Sequence, residues 1–268
     1  MEPYAVVCRH GLDEAIHRRR IQETCERMLA AQKPDGWFPC YCSANGASDA
    51  KLGDGGAFTN GSVGEALVLA AGVTGESRYL EASRRAADYA WYRWEDNQNY
   101  AAFALWHLAA LYEVDGKKAW LDKALYYSKH FVTRDIGLCG AADAHNYYTG
   151  YGNITLKGMA RLLEVLPKAH AYRPVLREQV IRFTNQILSR QQPDGWFAGR
   201  NRKYLGYRHA APGLFAVAAA VPEFRKELEP ALAAMYHAVA ERILTKPEES
   251  GSPDDGLTVA LMGRYVAG

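Results

Sequence analysis

The chain has 268 residues, of which 49% are hydrophobic and 23% charged, enough apolar content to bury a large core and too much for a disordered or low-complexity protein. Lys plus Arg number 32 against 30 Asp plus Glu, a net charge of +2, so neither nucleic acid nor an acidic membrane surface is an expected partner. Five cysteines are too few for a disulfide framework, no apolar run is long enough to span a bilayer, and the first ten residues lack the charged-then-apolar order of a signal peptide. A cytoplasmic setting is expected from those features, and 17 Tyr with 6 Trp make amphipathic aromatics the unusual component.

Read in chain order, the segments between loops carry helical spacing and little period-2 alternation. A first helix is predicted over about Asp13 to Lys33. From Ser62 to Tyr92 the pattern is helix, turn at Thr74-Gly75-Glu76-Ser77, helix. The same pattern recurs from Asn99 to His130, turning at Val114-Asp115-Gly116. It recurs from Asn153 to Leu188 around Leu166-Pro167-Lys168, and from His209 to Leu244 at Val221-Pro222-Glu223. A last helix is predicted over about Asp255 to Val266. Paired with the first, it would complete about five hairpins. In each hairpin the first helix is apolar and rich in small residues, as in Ala101-Ala102-Phe103-Ala104-Leu105, and the second carries more charge, as in Arg84-Arg85. Helices apolar all round go inside and amphipathic ones outside. The expected fold is therefore all-α, an (α/α) barrel or toroid forming a single domain over residues 1–268, with an open helical solenoid as the alternative. Short turns would lie at one end and the long connections, about 34–61, 93–98, 133–152, 190–208 and 246–254, on the other rim, where function concentrates.

A near-duplicate stands on that rim. Gln32-Lys33-Pro34-Asp35-Gly36-Trp37-Phe38 recurs as Gln191-Gln192-Pro193-Asp194-Gly195-Trp196-Phe197. Pro-Asp-Gly is turn chemistry: Pro presets φ, Asp bonds the backbone just ahead, and Gly accepts positive φ. One reading makes these helix exits whose Trp packs on neighbouring helices; the other sets Trp37 and Trp196 against a sugar face or an apolar ligand.

A Gln-x-Pro-Asp-Gly-Trp turn closing a helix in such an array resembles turns of the (α/α)-barrel carbohydrate enzymes (polysaccharide lyases, unsaturated-glycuronyl hydrolases and related epimerases). More distantly it resembles those of the terpenoid-cyclase toroids. The Asp-x-Asp-Asp acid motif of class II terpene cyclases is absent, which puts the carbohydrate side ahead. The segment Asp143-Ala144-His145-Asn146-Tyr147-Tyr148-Thr149-Gly150-Tyr151-Gly152-Asn153 loosely resembles the Asn/His/Tyr constellation of uronate lyases. β-Elimination requires donors that neutralise the uronate carboxylate, a base for the proton beside it and an acid for the leaving oxygen. The resemblance implies His145 or Tyr148 as base or acid, Asn146 with Arg208 as carboxylate neutralisers, and Tyr207 with His209 as a second acid/base pair. The plain alternative is a Tyr-rich loop packed on itself.

Arg200-Asn201-Arg202-Lys203-Tyr204-Leu205-Gly206-Tyr207-Arg208-His209 runs into a helix N-terminus, where guanidinium groups and the helix dipole both favour an anion. Arg200, Arg202, Trp37 and Trp196 are expected to bind substrate, with Asn60, Asn99, Tyr100 and Tyr151 beside them; Asn is equally a good helix cap. Cys40, Cys42 and Cys139 with His145 could compose a zinc site, but Cys-x-Cys departs from the usual spacing, so neither metal nor cofactor is expected. Trp106 and His107 read as core. The functional expectation is a lyase acting on an acidic, uronate-containing oligo- or polysaccharide. The alternatives are a glycoside hydrolase using Asp54 with Asp35, Asp143 or Asp194, an isomerase or terpene-cyclase-like toroid, and a non-catalytic helical-repeat binding module.

Overall fold

A computed structural model describes residues 14–39, 56–91, 98–133, 149–195, 197 and 207–245. The regular elements among them are α1 (Glu14–Ala31), α2 (Gly56–Thr74), α3 (Ser77–Trp91), α4 (Gln98–Asp115), α5 (Lys118–Tyr127), α6 (Thr149–Val165), α7 (Arg173–Leu188), α8 (Tyr207–Ala220) and α9 (Arg225–Thr245). A π-turn, Ser128–Val132, prolongs α5, and a 3₁₀ turn, Pro222–Phe224, precedes α9. Among the described residues the sole β-type pairing is an isolated bridge between Gln191 and Phe197, and no helix is long and apolar enough to cross a membrane. The chain divides between Phe131 and Val132 into two compact units, the first holding α1 to α5 and the second α6 to α9.

Each hairpin turns where the sequence breaks. Gly75 and Gly116 take positive φ (79° and 64°) and donate their N–H groups back to Ala71 and Tyr112, the left-handed helix ending that glycine permits. In the second unit proline does the work: Pro222 has no N–H to continue α8, and Val221 before it leaves the helical region (φ −132°, ψ 71°). Two starts differ from expectation. α2 begins at Gly56 rather than near Ser62, and α6 at Thr149 rather than Asn153. Asn60 reads as a substrate contact or a cap and Asn153 as the start of its hairpin, but both are wholly buried inside their helices. The predicted last helix, Asp255 to Val266, lies outside the described residues.

The division into apolar first and amphipathic second helices is clear in the first unit. Nearly every residue of α4 from Gln98 to Leu111 is buried, whereas α3 buries one face, Tyr79, Ala82, Ser83, Ala86, Ala87 and Ala90, at i, i+3, i+4 spacing. α2 and α4 approach through glycine. A Cβ on Gly61 would strike the Phe103 backbone, and one on Gly64 would run into the His107 ring. That ring is 1% exposed, with Nε2 2.7 Å from Ser83 Oγ, while the Ser83 hydroxyl donates to Gly64 O at 2.9 Å. With its proton so committed, Ser83 accepts from His107, which places the imidazole proton on Nε2. The pair thus ties α2, α3 and α4 together. The corresponding approach in the second unit is between α8 and α6, where a Cβ on Gly213 would lie 2.7 Å from Asn153 O. At the short-turn end of the first unit, Arg84 grips Asp115 with Nε and Nη2, and Trp120 Nε1 donates to the same carboxylate at 3.0 Å. The Arg84 hydrogen bond holds the Asp115 carboxyl below its ordinary range.

Burial pushes the His107 pKa down from 6.5 to about 3, so the folded state holds it neutral while the unfolded chain takes up a proton below about pH 6.5. Between those values the unfolded state binds more protons, so this group makes stability fall as pH drops from about 6.5 toward 3. Urea unfolding between pH 7.5 and 5 is expected to show that loss, with a shallower slope in His107→Gln. Gly64→Ala is expected to destabilise by about 2–3 kcal/mol in the same assay, the range for overpacking a closed seam.

Candidate functional site

The duplicated turns close with the same geometry. Gln32 Nε2 donates to Gly36 O (3.2 Å) and to Ala82 O of α3 (2.8 Å). Gln191 Nε2 donates to Gly195 O (3.1 Å) and to Ala231 O of α9 (2.8 Å). Gly36 and Gly195 take φ of 96° and 84°, and a Cβ on either would collide with a helix carbonyl, Arg85 in α3 or Ala234 in α9. Glycine is required twice over at each place, for conformation and for clearance. In both turns a glutamine at the end of one helix clips the loop onto the next hairpin's amphipathic helix.

The first turn has a further strut. Asn60 is fully buried; its Nδ2 donates to Gly36 O (3.1 Å) and Ala86 O (3.0 Å), and its Oδ1 accepts from the Phe38 N–H (3.0 Å). The structure thus gives Asn60 a different task from the substrate contact expected of it: its amide reinforces two backbone carbonyls and supplies the acceptor for the Phe38 N–H. Asp35 Oδ1 accepts from the Trp37 N–H (3.1 Å), the turn-forming bond predicted for this residue type. The result is Trp37 in a fixed place, half-buried, its ring stacked on Tyr89 of α3 with centroids 6.4 Å apart and planes 18° from parallel. Its indole N–H is buried with no hydrogen-bond partner among the described residues.

The N-termini of α2 and α4 stand side by side at this end. Tyr100 stacks on Phe58 (5.3 Å, 30°), Phe58 meets Phe103 edge-on (4.8 Å), and Phe103 meets Trp106 edge-on (4.5 Å). Asn99, beside Tyr100, is buried. Along α2, Phe58, Ser62, Ala66 and Leu69 are half-buried and follow helical spacing, so they share one face. The described part of the first unit therefore offers aromatic and apolar surface for stacking, with no ionisable group among those four residues. Phe58 was not among the sequence candidates because it fell in a predicted loop; with the helix beginning at Gly56 it takes its place four residues before Ser62.

In the second unit, Tyr151 lies half-buried in the first turn of α6, and Tyr207, Arg208 and His209 form the first turn of α8, whose positive dipole end suits an anion. The close approach at Gly213 and Asn153 brings the two helix starts together. His145, Asn146, Tyr148, Trp196, Arg200 and Arg202 lie outside the described residues, as do Cys40, Cys42, Cys139, Asp54 and Asp143. Asp194, like Asp35, is exposed. His107, buried, bonded through Nε2 to Ser83 and uncharged at neutral pH, is core as expected.

Two solved structures share this arrangement of helices. A polysaccharide lyase matches with a TM-score of 0.71 at 12% sequence identity, over 99% of this chain and 88% of its own. A glycosyl hydrolase family 88 protein from Bacteroides vulgatus matches with a TM-score of 0.62 at 12% identity, over 88% of this chain and 80% of its own. No protein-family model matches the chain. No curated protein matches it in sequence. The fold is therefore the all-α hairpin fold of the (α/α)-toroid class anticipated from the turn rhythm, reached with almost no shared sequence.

If Asn60 is a strut for the turn, Asn60→Ala removes its bonds to the Gly36 and Ala86 carbonyls, leaves the Phe38 N–H without its acceptor and is expected to cost about 2 kcal/mol. Urea unfolding followed by tryptophan fluorescence checks this; a variant as stable as the parent would assign the amide to ligand binding instead.

Proposed function

We propose that the chain is a carbohydrate-active enzyme that cleaves a uronate-containing glycan by β-elimination. The observation that carries the reading is the fold shared with a polysaccharide lyase across 99% of the chain. The residues add their chemistry to it. The segment with His145, Asn146 and Tyr148 leads into α6, and the basic segment with Arg200 and Arg202 leads into Tyr207, Arg208 and His209 of α8, two helices packed against each other in one unit.

In this mechanism Asn146 and Arg208 bind the substrate carboxylate and spread the charge that develops as the neighbouring C–H loses its proton. His145 or Tyr148 takes that proton, and the freed electron pair forms the C=C bond as the bond to the glycosidic oxygen breaks. Tyr207 or His209 returns a proton to the departing oxygen. The products are one fragment with a new reducing end and one that begins with an unsaturated uronate, with no water consumed. Trp37 and Trp196 supply flat apolar surface for sugar rings, and Arg200 and Arg202 hold further acidic groups. Tyr100 in the first unit and Tyr151 in the second are further candidate contacts, whereas Asn99 is buried.

The likeness to a glycosyl hydrolase family 88 protein supports a second reading, hydrolysis by a pair of rim carboxylates, Asp54 with Asp35, Asp143 or Asp194. Incubation with a panel of uronate polymers separates the two. β-Elimination is expected to raise ultraviolet absorbance from the new double bond, and His145→Ala to lower the rate by about a hundredfold or more, the usual loss for a general base. New reducing ends without absorbance would replace elimination by hydrolysis. Neither signal from any glycan would remove the carbohydrate reading.

A further inference from the structure

A second aromatic surface lies on the solvent side of the first unit. Trp91 ends α3, Tyr126 stands in the last turn of α5, and His130 and Phe131 belong to the π-turn that follows. The Trp91 ring meets Tyr126 edge-on (5.3 Å, 69°) and also Tyr127 (5.9 Å). In an α-helix the ring at position 126 would rest on residue 130, whereas the wider π-turn brings residue 131 beneath it as well. Tyr126 accordingly meets His130 at 4.5 Å and Phe131 at 5.9 Å. Tyr127 and Phe131 are buried and form the backing, while Tyr126 is 44% exposed and His130 lies open beside it. Lys123 flanks the surface, its ammonium 5.4 Å from the Trp91 ring centre and 4.8 Å from that of Trp120, with an ion pair to Asp88 at 2.8 Å.

We propose that Trp91, Tyr126 and His130 form a second saccharide-binding surface that holds a pyranose ring of a polymeric acidic substrate away from the reacting bond. The inference rests on the glycan reading above and adds to it a site for long chains. A pyranose presents an apolar C–H face edged by hydroxyls, which suits a flat ring edged by a phenol and an imidazole. Among the described residues, Lys123 in its ion pair with Asp88 lines one edge and Lys129 precedes His130, so the polar edge carries more positive than negative charge, which suits an anionic chain. α3 and α5 reach this surface with their C-terminal ends, the end at which Trp37 stacks on Tyr89, so a polymer has two aromatic faces of one unit to span and a short oligosaccharide has one.

Electrophoresis through gels cast with alginate, polygalacturonate or hyaluronan tests it, with the intact protein, Tyr126→Ala and Tyr126→Phe. At least one polymer is expected to retard the parent; Tyr126→Ala should weaken that binding about tenfold, the loss of one stacking contact, and Tyr126→Phe should keep most of it. Equal thermal unfolding of the three proteins ensures that the comparison reads binding. A parent that no polymer retards, equal retardation of parent and Tyr126→Ala, or equal loss in both variants would overturn the proposal. Retardation that depends on Tyr126 in a protein without eliminative turnover would keep this surface and sink the catalytic reading alone.

Discussion

Two largely apolar helices can approach as closely as α2 and α4 do only if one of them gives up side chains along the seam, and the first unit is organised by that constraint. Gly61 and Gly64 clear the surface of α2 on which the Phe103 backbone and the His107 ring lie. Once the helices are this close, the imidazole has no water to bond, and Ser83 on a third helix supplies the one partner within reach. Ser83 is then fixed by Gly64 O, the carbonyl of the same glycine that made the room. A packing requirement thus becomes a hydrogen-bonding requirement and recruits the amphipathic helix α3 to the inner pair. The second unit meets the same need with Gly213 against Asn153.

Order at the functional end follows from that inner frame. α3, held against α2 by Ser83, carries the carbonyls of Ala82, Arg85 and Ala86 in one row on the side that meets the turn. Gln32 bonds the first of these, Gly36 fits against the second and Asn60 bonds the third. The Trp37 ring is therefore placed by backbone atoms of a neighbouring helix as well as by the bonds of its own loop. An aromatic surface fixed in this way loses little freedom when a ligand arrives, which is the condition for stacking to yield affinity.

Much of this was legible in the sequence because it depends on local chemistry. Gly75, Gly116 and Pro222 mark the short turns, and the small-residue runs mark the inner helices. The Pro-Asp-Gly repeats mark the turns at the functional end, and the pairing of Gln32 with Gly36 lies within one turn of chain. What was not legible depends on distance. Asn60 reads as a substrate contact or a cap until Gly36, 24 residues back, is known to face it. The starts of α2 and α6 were missed for the same reason, since capping preference describes a helix end in water and these asparagines are buried. The π-turn at Ser128–Val132 leaves no mark in residue choice, so the meeting of Tyr126 with Phe131 appears only in three dimensions.

The clip that recurs in the two units has a meaning for comparing proteins built this way. Its glutamine addresses two backbone carbonyls, and its glycine answers to φ and to a third carbonyl; none of these depends on what the protein binds. The Gln-x-x-x-Gly spacing is accordingly a signature of architecture. It will persist where hairpins of this kind must be joined by a loop drawn back onto the following helix, whether the interior takes a sugar or a hydrocarbon. Kinship of activity has to be sought one residue later, in the side chain that the clip presents.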